Sequence, residues 1–439
     1  MRKVRGKDGK TGRFEGVSEG RKAMRVLQIT AFSGWGCTGR IALGIHNALI
    51  EQGHESAIAW GRINTAPESV VNFKIGNKLD QQLHGFYTRI TDKCGFASKG
   101  VTKEFIKQID EYKPDLIQLH ILHGYYINIE ALFTYLKEKK IPVVWTFHDC
   151  WGFTGHCPYF DLVRCEEWKT GCHDCPQKSH HPTSWLLDNS RWNWKKKKEL
   201  FTAIDNLIIV TPSEWLASLV KQSFLKGKEV IVINNGIDTN TFKPTDGDFR
   251  KKYQLEDKKI ILGVSSTWCK SKGIDDFIEL SMKLPDEYKI VLVGLNKNQL
   301  KELPDSVLGI QRTDSVQELA EIYTTADVFV NPTYEDNYPT TNLEALACGT
   351  PVVTYETGGS VEVAGDKWGR IIKQGDVEAL REYIVNEQWM EISEESCVIR
   401  ASNFAQENRF EEYVDLYQKV IEETNYGQYP FGKYHTTDI

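Results

Sequence analysis

The sequence Arg25-Val-Leu-Gln-Ile-Thr30 is a short apolar run that predicts a buried β-strand. The stretch that follows, Ala31-Phe-Ser-Gly-Trp-Gly-Cys-Thr-Gly39, is rich in glycine and predicts a tight turn. The next segment, 40–51, has the apolar spacing of a helix, which Gly53 ends. A strand, a turn and a helix in this order are typical of the repeating unit of a parallel sheet, so this stretch decides the fold class.

The same alternation continues along the chain. Further strands are expected at 56–60, 115–120, 142–147, 207–210 and 230–233, and then at 259–264, 289–294, 309–312, 328–331 and 351–354. Helices are expected at 129–139, 213–224, 274–283, 316–324, 339–348 and 409–423. Such units pack into parallel sheets that helices cover on both faces. The turn-rich segment 234–244 separates two series, so the sequence predicts an α/β protein with two Rossmann-like parallel-sheet domains facing each other across a cleft.

The length of 439 residues also favours two or three domains. We expect 1–23 to be a disordered extension, 24–235 to be the first domain and 236–400 to be the second. The segment 401–425 is expected to form a final helix that packs back on the first domain. The tail 426–439 has no recognisable pattern.

Charge and hydropathy exclude several classes of protein. The net charge of −6 provides no basic field that would attract a nucleic acid. No stretch approaches the roughly 18 consecutive apolar residues of a membrane span. The charged N-terminus lacks the apolar core of a secretory signal. Together with the ten cysteines, this favours a reducing cytoplasm, where thiols stay free.

The segment that says most about function is Asn331-Pro-Thr-Tyr-Glu-Asp-Asn-Tyr-Pro-Thr-Thr-Asn-Leu-Glu344. Parallel sheets bind ligands at the carboxyl ends of their strands, and this segment follows such an end. Pro339 suits the start of a helix because it has no N–H to lose. The free backbone N–H groups of Thr340, Thr341 and Asn342 would then form an anion site suited to a diphosphate.

Two acids stand eight positions apart at this helix start, Asp336 and Glu344. We expect Glu344 to accept hydrogen bonds from ribose hydroxyls and Asp336 from sugar hydroxyls. For an isolated acid, the simpler interpretation is that it complements the helix dipole. Followed by Ala-Cys-Gly and Pro-Val at 347–353, however, this spacing resembles the donor-binding motif of retaining glycosyltransferases of family 4, which have the GT-B fold.

The resemblance covers nearly the whole chain from Met24, and it implies that the domain 24–235 lies on the acceptor side of the cleft and the domain 236–400 binds the nucleotide-sugar donor. The linker Asn235-Gly-Ile-Asp238 is similar to the interdomain segment of the family. Three stretches resemble bacterial colanic-acid and O-antigen type transferases more narrowly: Gly36-Cys-Thr-Gly-Arg-Ile41, Phe147-His-Asp-Cys-Trp151 and 335–344. The family usually has Glu where this chain has Asp336, and Glu335 lies next to it.

The resemblance also implies a positive charge beside the leaving diphosphate. In the family an Arg and a Lys supply this charge, and the Lys stands directly before a glycine. Lys272 matches the Lys, whereas Ser266 or Thr267 fills the Arg position. We therefore expect Lys270 to supply the second charge. The alternative is that these lysines are solvated surface residues.

The first domain contributes further candidates to the cleft. Gly36 and Gly39 would let the backbone approach a phosphate of the donor, although tight β/α turns often need glycine for their own geometry. His148 follows a predicted strand, and the resemblance implies a histidine near the anomeric centre of the sugar. The alternative is a packed histidine that bonds to the backbone. His120 and His123 are expected to be structural or to lie on the acceptor side.

The sequence lacks a Gly-x-Ser-x-Gly elbow and an Asp-x-Asp pair after a strand. The resemblance implies transfer without an enzyme nucleophile, in which the acceptor hydroxyl attacks the face that the diphosphate leaves and a donor phosphate oxygen takes the proton. His148, Asp336 and Lys272 are expected to act at the reacting centre. No cofactor is expected to be required for catalysis.

Half of the ten cysteines fall within a single insertion, 150–176. Four of them are candidate ligands of a structural zinc ion: Cys157, Cys165, Cys172 and Cys175. The alternatives are free buried thiols and, after that, a disulfide. The position of the insertion beside His148 indicates that it shapes the acceptor pocket.

The aromatic pair Trp192-Asn-Trp194 precedes four lysines at 195–198. Such a pattern suits the surface of an anionic bilayer, although a solvated helix face explains it as well. Peripheral contact with the inner face of the membrane is therefore a hypothesis.

The sequence thus predicts a transferase that moves a hexose, with retention, from a nucleotide-diphosphate sugar to a saccharide or lipid-linked saccharide in the assembly of cell-surface polysaccharide. Two alternatives stay open. One is a nucleotide-sugar epimerase of the same fold, which needs no acceptor. The other is a protein that binds sugar nucleotides or glycans without turnover. The donor base, the sugar and the linkage are not specified by these motifs.

Overall fold

The computed structural model describes residues 23–365 and 367–425. The strands of its first half are β1 Arg25–Ser33, β2 Glu55–Asn64, β3 Asn72–Lys74, β4 Leu116–Leu119, β5 Val143–Thr146, β6 Leu207–Thr211 and β7 Glu229–Val232. They form one parallel sheet in the order β3-β2-β1-β4-β5-β6-β7. The predictions for 1–23 and 426–439 lie, apart from Ala23, outside the described residues.

The second half forms a separate parallel sheet. Its strands are β8 Lys259–Val264, β9 Tyr288–Val293, β10 Val307–Ile310, β11 Val328–Asn331, β12 Val352–Tyr355 and β13 Gly369–Ile372. Their order is β10-β9-β8-β11-β12-β13. Two sheets of this kind confirm the predicted fold class.

Fifteen α-helices connect the strands within the described residues. They are α1 Gly36–Glu51, α2 Lys78–Thr91, α3 Lys99–Tyr112, α4 Ile129–Lys139, α5 Ser190–Thr202, α6 Glu214–Gln222, α7 Phe249–Lys252, α8 Ile274–Ser281, α9 Lys297–Glu302, α10 Val316–Thr325, α11 Thr340–Ala347, α12 Ser360–Val363, α13 Val377–Val385, α14 Glu394–Ser402 and α15 Gln406–Asn425. Side-chain caps explain several starts. The hydroxyls of Ser213, Ser315 and Ser393 each accept from a backbone N–H three residues further on.

Both sheets are buried on both faces, as parallel sheets require. In β1, Leu27 and Ile29 belong to one apolar cluster, and Val26 belongs to the cluster on the opposite face. The second sheet also lies between two clusters, with Leu262 on one face and Ile261 on the other. Apolar residues therefore form continuous runs in these strands.

Several elements have no counterpart among the sequence predictions. Strand β3 is only three residues long, and β13 begins with glycine and arginine, so neither gives a clear apolar run. Helix α2 differs from an ordinary surface helix because its large apolar side chains face solvent. Helix α1 begins four residues earlier than predicted.

The chain passes from one half to the other twice, and the two crossing segments lie side by side. Ile237 pairs with Ala405 in an isolated parallel bridge, with Ile237 N donating to Phe404 O at 2.8 Å. Helix α15 then packs on the first sheet, where Tyr417 is fully buried and its hydroxyl donates to Gln118 Oε1 at 3.0 Å. The two crossings set the first sheet opposite the second.

Candidate active site

A cavity of about 260 Å³ lies between the carboxyl ends of the two sets of strands. Its first wall comes from residues that follow β1, β5 and β6, among them Thr38, His148 and Pro212. Its second wall comes from residues that follow β8 and β11, among them Ser265 and Lys272. Both halves therefore shape one pocket, at the position where parallel sheets bind ligands.

Helix α11 begins at this cavity. Pro339 holds the N-cap position, and no described side chain caps the helix. Thr340 and Thr341 line the cavity, as predicted. The positive end of the helix dipole and the first N–H groups of the helix therefore face this space, which is the arrangement of an anion site.

Asn342 differs from the prediction. Its backbone N–H donates to the Pro339 carbonyl at 3.2 Å, so this N–H is not free for an anion. The side chain is fully buried, where Nδ2 donates to Ser360 Oγ at 3.0 Å and Oδ1 accepts from Asn331 at 2.9 Å. Asn342 therefore holds the helix start in place against β11 and α12.

Lys272 and Asp336 form an ion pair at the cavity, with Nζ 2.7 Å from Oδ2. The same ammonium donates to the Glu335 carbonyl at 3.1 Å. Gly273 follows with φ of +72°, and a Cβ there would lie 2.2 Å from the Pro332 carbonyl oxygen. The Lys-Gly pair therefore needs its glycine, because the loop turns tightly against the end of β11.

Lys270 does not join this cluster. It is exposed and does not line the cavity, whereas Ser266 does. Among the described lining residues, Lys272 is the only Lys or Arg. The expectation that Lys270 supplies a second charge to this pocket is therefore not met. The Glu335 side chain contacts the first half, where its Oε1 accepts from Leu162 N at 3.2 Å.

His148 belongs to a chain of hydrogen bonds. Its Nε2 lies 3.2 Å from His120 Nδ1, and His120 Nε2 lies 3.1 Å from Gln28 Oε1. Since Gln28 Nε2 donates to the Ala42 carbonyl at 2.8 Å, Oε1 is the acceptor for His120. With this order of donors and acceptors, each of the two neutral histidines carries its proton on Nε2. His148 Nδ1 is then an acceptor. Burial, with His123 nearby, lowers the pKa of His148 to about 4, so the ring is neutral at pH 7.

The predicted glycines lie in the first turn of α1. Gly39 is buried, and a Cβ there would lie 3.2 Å from Gly34 N, so its role is close packing. Gly36 has φ of +67° and a Cβ there would meet open space. Neither glycine lines the cavity, which is lined instead by Cys37 and Thr38. The sequence located the turn and missed the residues that face the pocket.

A second cavity of about 300 Å³ adjoins the first, and Cys37 and Thr340 line both. Glu344 lies in the second cavity, one turn further into α11. Its Oε2 accepts from the Tyr323 hydroxyl at 2.9 Å, and burial raises the pKa of this carboxyl. Arg40 of α1 lines the same cavity. The two acids of the motif therefore lie in separate, adjoining cavities.

Two side chains of the second half hold the halves together across the cleft. Glu362 accepts from the first two backbone N–H groups of α6, at 3.0 and 2.8 Å. Asn337 accepts from Ser213 Oγ at 2.6 Å and donates to the His148 carbonyl at 3.2 Å. Sequence reasoning missed both residues, since only the position of Asn337 beside Asp336 pointed to the cleft.

The cysteine-rich insertion packs onto the apolar core of the first half. Trp151, Phe153 and Trp168 are almost fully buried and belong to the same apolar cluster as Leu27 and Ile29 of β1. Four thiols line one small cavity of about 10 Å³: Cys157, Cys165, Cys172 and Cys175. In the described part of the chain, no three His, Cys, Asp or Glu side chains are arranged to hold a metal ion. Zinc binding stays a prediction, which the metal content of the purified protein would test.

The segment 192–198 is only partly exposed, and membrane contact through it stays a prediction. Trp194 is buried, and its Nε1 donates to the Trp168 carbonyl at 2.9 Å. Lys197 is also buried, and its ammonium donates to the Trp151 carbonyl at 2.8 Å. Burial lowers the pKa of Lys197 to about 7. Among the described helices, none has both the length and the apolar character to cross a bilayer.

Two parallel-sheet domains that enclose a pocket between their strand ends define the GT-B fold. The chain belongs to glycosyltransferase family 4: the family described as Glycosyltransferase Family 4 matches residues 38–241, and that described as Glycosyl transferases group 1 matches residues 246–402. These matches span both walls of the cleft. The predicted family and the predicted enzyme class, a glycosyltransferase, are confirmed.

Over most of its length, the chain is similar in sequence to a described glycosyltransferase and in fold to proteins of known structure. WcaC of Escherichia coli (strain K12), described as a glycosyl transferase of colanic acid biosynthesis, is 26% identical over 420 residues, which cover 90% of this chain and 100% of WcaC. Sucrose-phosphate synthase from Thermosynechococcus elongatus matches with a TM-score of 0.67 at 16% identity, covering 91% and 99% of the two chains. HepE of Anabaena, solved in complex with UDP, matches with a TM-score of 0.61 at 16% identity. This match covers 90% of this chain and 100% of HepE.

Proposed function

We propose that this glycosyltransferase moves a hexose from a nucleotide-diphosphate sugar to a saccharide hydroxyl, with retention, in the assembly of cell-surface polysaccharide. The observation that supports this most directly is the convergence of Lys272 with the start of α11 on one cavity that His148 closes from the other side. The similarity to WcaC supports the polysaccharide context. HepE, solved with UDP, has the same fold and supports a nucleotide donor.

The two adjoining cavities suit the two ends of a donor. The sugar and diphosphate occupy the first, where the ammonium of Lys272 and the N–H groups of Thr340 and Thr341 balance the phosphate charge. The nucleoside occupies the second, where the buried carboxyl of Glu344 accepts hydrogen bonds from the ribose hydroxyls. Thr340 lines both cavities and therefore lies beside the diphosphate that joins the two ends.

The chemistry follows from this placement. The bond between the anomeric carbon and the phosphate oxygen breaks while the acceptor oxygen bonds to the same face of the sugar. The acceptor proton passes to an oxygen of the departing diphosphate. Lys272 stabilises the charge that develops on this diphosphate. His148, neutral at pH 7, accepts a hydrogen bond from a sugar hydroxyl at Nδ1 and holds the sugar for attack.

Asp336 has a further role in the proposal. In the structure its carboxylate is paired with Lys272 at 2.7 Å. A bound diphosphate competes for this ammonium, because a dianion close to Nζ attracts it more strongly than a single carboxylate. Asp336 is then released to accept hydrogen bonds from sugar hydroxyls. The ion pair therefore keeps the lysine in place until a donor arrives.

The acceptor approaches from the first half, past the cysteine-rich insertion. A saccharide or a lipid-linked saccharide fits this description, and a lipid-linked acceptor would be met at the inner face of the membrane. We place the enzyme in the cytoplasm, since all ten of its cysteines are free thiols.

A panel of UDP and GDP sugars, scored by thermal shift, tests the donor assignment. A ligand at about 100 times its Kd stabilises the fold by about 2.7 kcal/mol. Glu344→Ala should remove both the shift and the transfer activity, since it deletes the acceptor of the ribose hydroxyls. Glu302→Ala, which removes an exposed glutamate of the same half, is the matched control and should change neither.

Incubation with donor alone separates the alternatives. Conversion of the donor to a new sugar nucleotide without any acceptor would replace the proposal with an epimerase. Binding without turnover towards any saccharide acceptor would favour a sugar-nucleotide binding protein.

A further inference from the structure

Helix α2 has its apolar residues on the wrong side for a surface helix of a water-soluble domain. Its buried positions are His84, Gly85 and Thr88. Its solvent-facing positions carry four large apolar side chains: Leu79, Leu83, Phe86 and Tyr87. Three of these are more than half exposed, at 61%, 58% and 54%. Such a helix face indicates a binding partner.

A loop extends this face. Trp185, Leu186 and Leu187 are 60%, 65% and 51% exposed. The loop is fixed to the last turn of α2, because Trp185 N donates to the Arg89 carbonyl at 2.6 Å and Leu187 N donates to the Ile90 carbonyl at 3.3 Å. We call the solvent-facing side chains of 79–87 and 185–187 the docking face. A contiguous apolar surface of seven large side chains marks an interaction site.

Basic side chains surround the docking face. The guanidinium of Arg89 lies 5.5 Å from the centre of the Trp185 ring, and the ammonium of Lys93 lies 4.1 Å from that of Trp192. Other basic residues that flank these two segments in the sequence are Lys78, Lys178, Arg191 and Lys195. Within residues 23–365 and 367–425, none of these six forms an ion pair with a carboxylate.

The acids of these segments are few and occupied. Asp80 accepts from Asn77 N at 2.8 Å as part of a capping box. Asp188 accepts from Cys175 N at 2.6 Å and from Ser190 N at 2.9 Å. The six basic residues outnumber the acids of 78–93 and 178–195, which are Asp80, Asp92 and Asp188, so the net charge around the docking face is positive.

We propose that the docking face binds the surface of a bilayer that contains anionic phospholipid. Apolar side chains at the centre, aromatic rings and a basic rim are the features of helices that lie in a membrane interface. The basic rim also distinguishes a bilayer from a second copy of this chain. A twofold contact would bring the same patch of each copy together and would oppose like charges. An anionic lipid surface neutralises those charges instead.

The covered side of α2 is linked by ring contacts to the acceptor side of the cleft. The ring of Tyr125 lies 5.9 Å from that of His84 in α2 and 5.8 Å from that of His181. His181 lies 5.8 Å from His123, whose Nε2 is 3.3 Å from Asp149, the neighbour of His148. A lipid-linked acceptor held in the bilayer would therefore meet the cleft at its His148 side. This last step rests on the proposed function, whereas bilayer binding does not.

Vesicle flotation with the full chain tests the proposal without donor or acceptor. Vesicles of phosphatidylcholine with roughly 30% phosphatidylglycerol are compared with pure phosphatidylcholine, at low salt and at about 0.5 M salt. The test variant is Leu83→Asp with Leu186→Asp. The matched control is Met390→Asp with Ile399→Asp, which alters two apolar residues of the second half that are 62% and 57% exposed. Thermal unfolding of each variant checks its fold.

We expect the wild type to float with the anionic vesicles and to lose most of this binding at high salt. The test variant should lose at least tenfold in vesicle partition while it melts within about 3 °C of the wild type, and the control should bind as the wild type does. Absence of wild-type flotation, or equal flotation of both double variants, would overturn the proposal. So would concentration-dependent self-association, measured by sedimentation, that only the test variant abolishes while no form binds vesicles.

Discussion

The two walls of the cleft are built in different ways. The second wall comes from two short stretches of sequence, one that runs from Asn331 at the end of β11 to Thr340 and Thr341 at the start of α11, and one that follows β8 and includes Lys272. The first wall is assembled from distant turns, with Thr38 after β1 and His148 after β5. Its histidine is supported by Gln28 and His120 from two further strands.

This difference indicates how the two substrates are recognised. A diphosphate and a ribose have the same chemistry in every donor, so one local motif is enough to bind them. Acceptors vary, and a wall made from separate turns can change one residue at a time. The motif of the second wall is therefore visible in a single sequence, whereas the specificity of the first wall is not.

The largest expected effect concerns the charge of the second wall. Lys272→Ala should lower kcat by about 10²–10³, because it removes the cation that balances the leaving diphosphate. Steady-state kinetics with the best donor of the panel measures this. Lys270→Ala is the matched control and should stay within about twofold, since Lys270 is exposed outside the cavity. Equal loss of activity in both alanine variants would show that Lys270 also acts on the donor. It would contradict the placement of Lys270 outside the cavity.

The next effect sharpens the role of the first wall. His148→Ala should lower kcat by about 10–10², in the range of a lost positioning contact. His120→Ala should cost less, because it removes only the acceptor that orients His148 Nε2. Measured donor KM should stay within about twofold in both variants, since these residues face the sugar rather than the nucleoside. A large rise in donor KM with unchanged kcat would contradict this assignment.

A pH effect on stability follows from the same histidine. Its pKa is about 4 in the folded chain and near 6.5 when unfolded, so its contribution to stability is complete above pH 6.5 and is lost as the pH falls towards 4. At pH 5 the loss is at most about 2 kcal/mol. Denaturant unfolding of the wild type and of His148→Asn at pH 7.5 and 5 measures it. Asparagine cannot gain the proton, so the variant should lose less stability between these pH values.

The smallest effect concerns the contacts between the walls. Glu362→Gln should weaken the cap of α6 by about 1 kcal/mol, and we expect donor KM to rise by about threefold because the two walls close less readily. The matched control is Glu356→Gln, an exposed glutamate of the same half. An unchanged KM together with an unchanged melting temperature would show that this cap does not restrain the cleft.

The sequence predicted the two sheets because their strands are continuous apolar runs, as in Lys259–Val264. It also pointed to Asp336 and Thr340 through a short motif around one helix start, and to Lys272 through the family resemblance of a second loop. Other features depend on contacts between distant segments. The hydrogen bonds of His148 join three separate strands, and Glu362 caps a helix about 150 positions earlier in the chain.

Two local patterns did not reveal which side chains are covered, for the same reason. The run 195–198 reads as a uniformly basic face, yet Lys197 is drawn inward by the carbonyls of the insertion. Helix α2 was not among the predicted helices. Its apolar side chains face solvent, and a pattern alone does not show which side of a helix is covered. In both cases the neighbours of a side chain decide whether it is buried, and these neighbours come together only in the folded chain.

The last helix, α15, has a consequence for biosynthesis. Tyr413, Val414, Tyr417 and Val420 complete the apolar cluster on one face of the first sheet. On a ribosome, the first half leaves the exit tunnel long before these residues are made. Helix α1 covers part of that face at once, but the rest stays exposed until α15 has been translated. The half that is synthesised first is the half that finishes folding last, and during this interval it is the part of the nascent chain most in need of a chaperone.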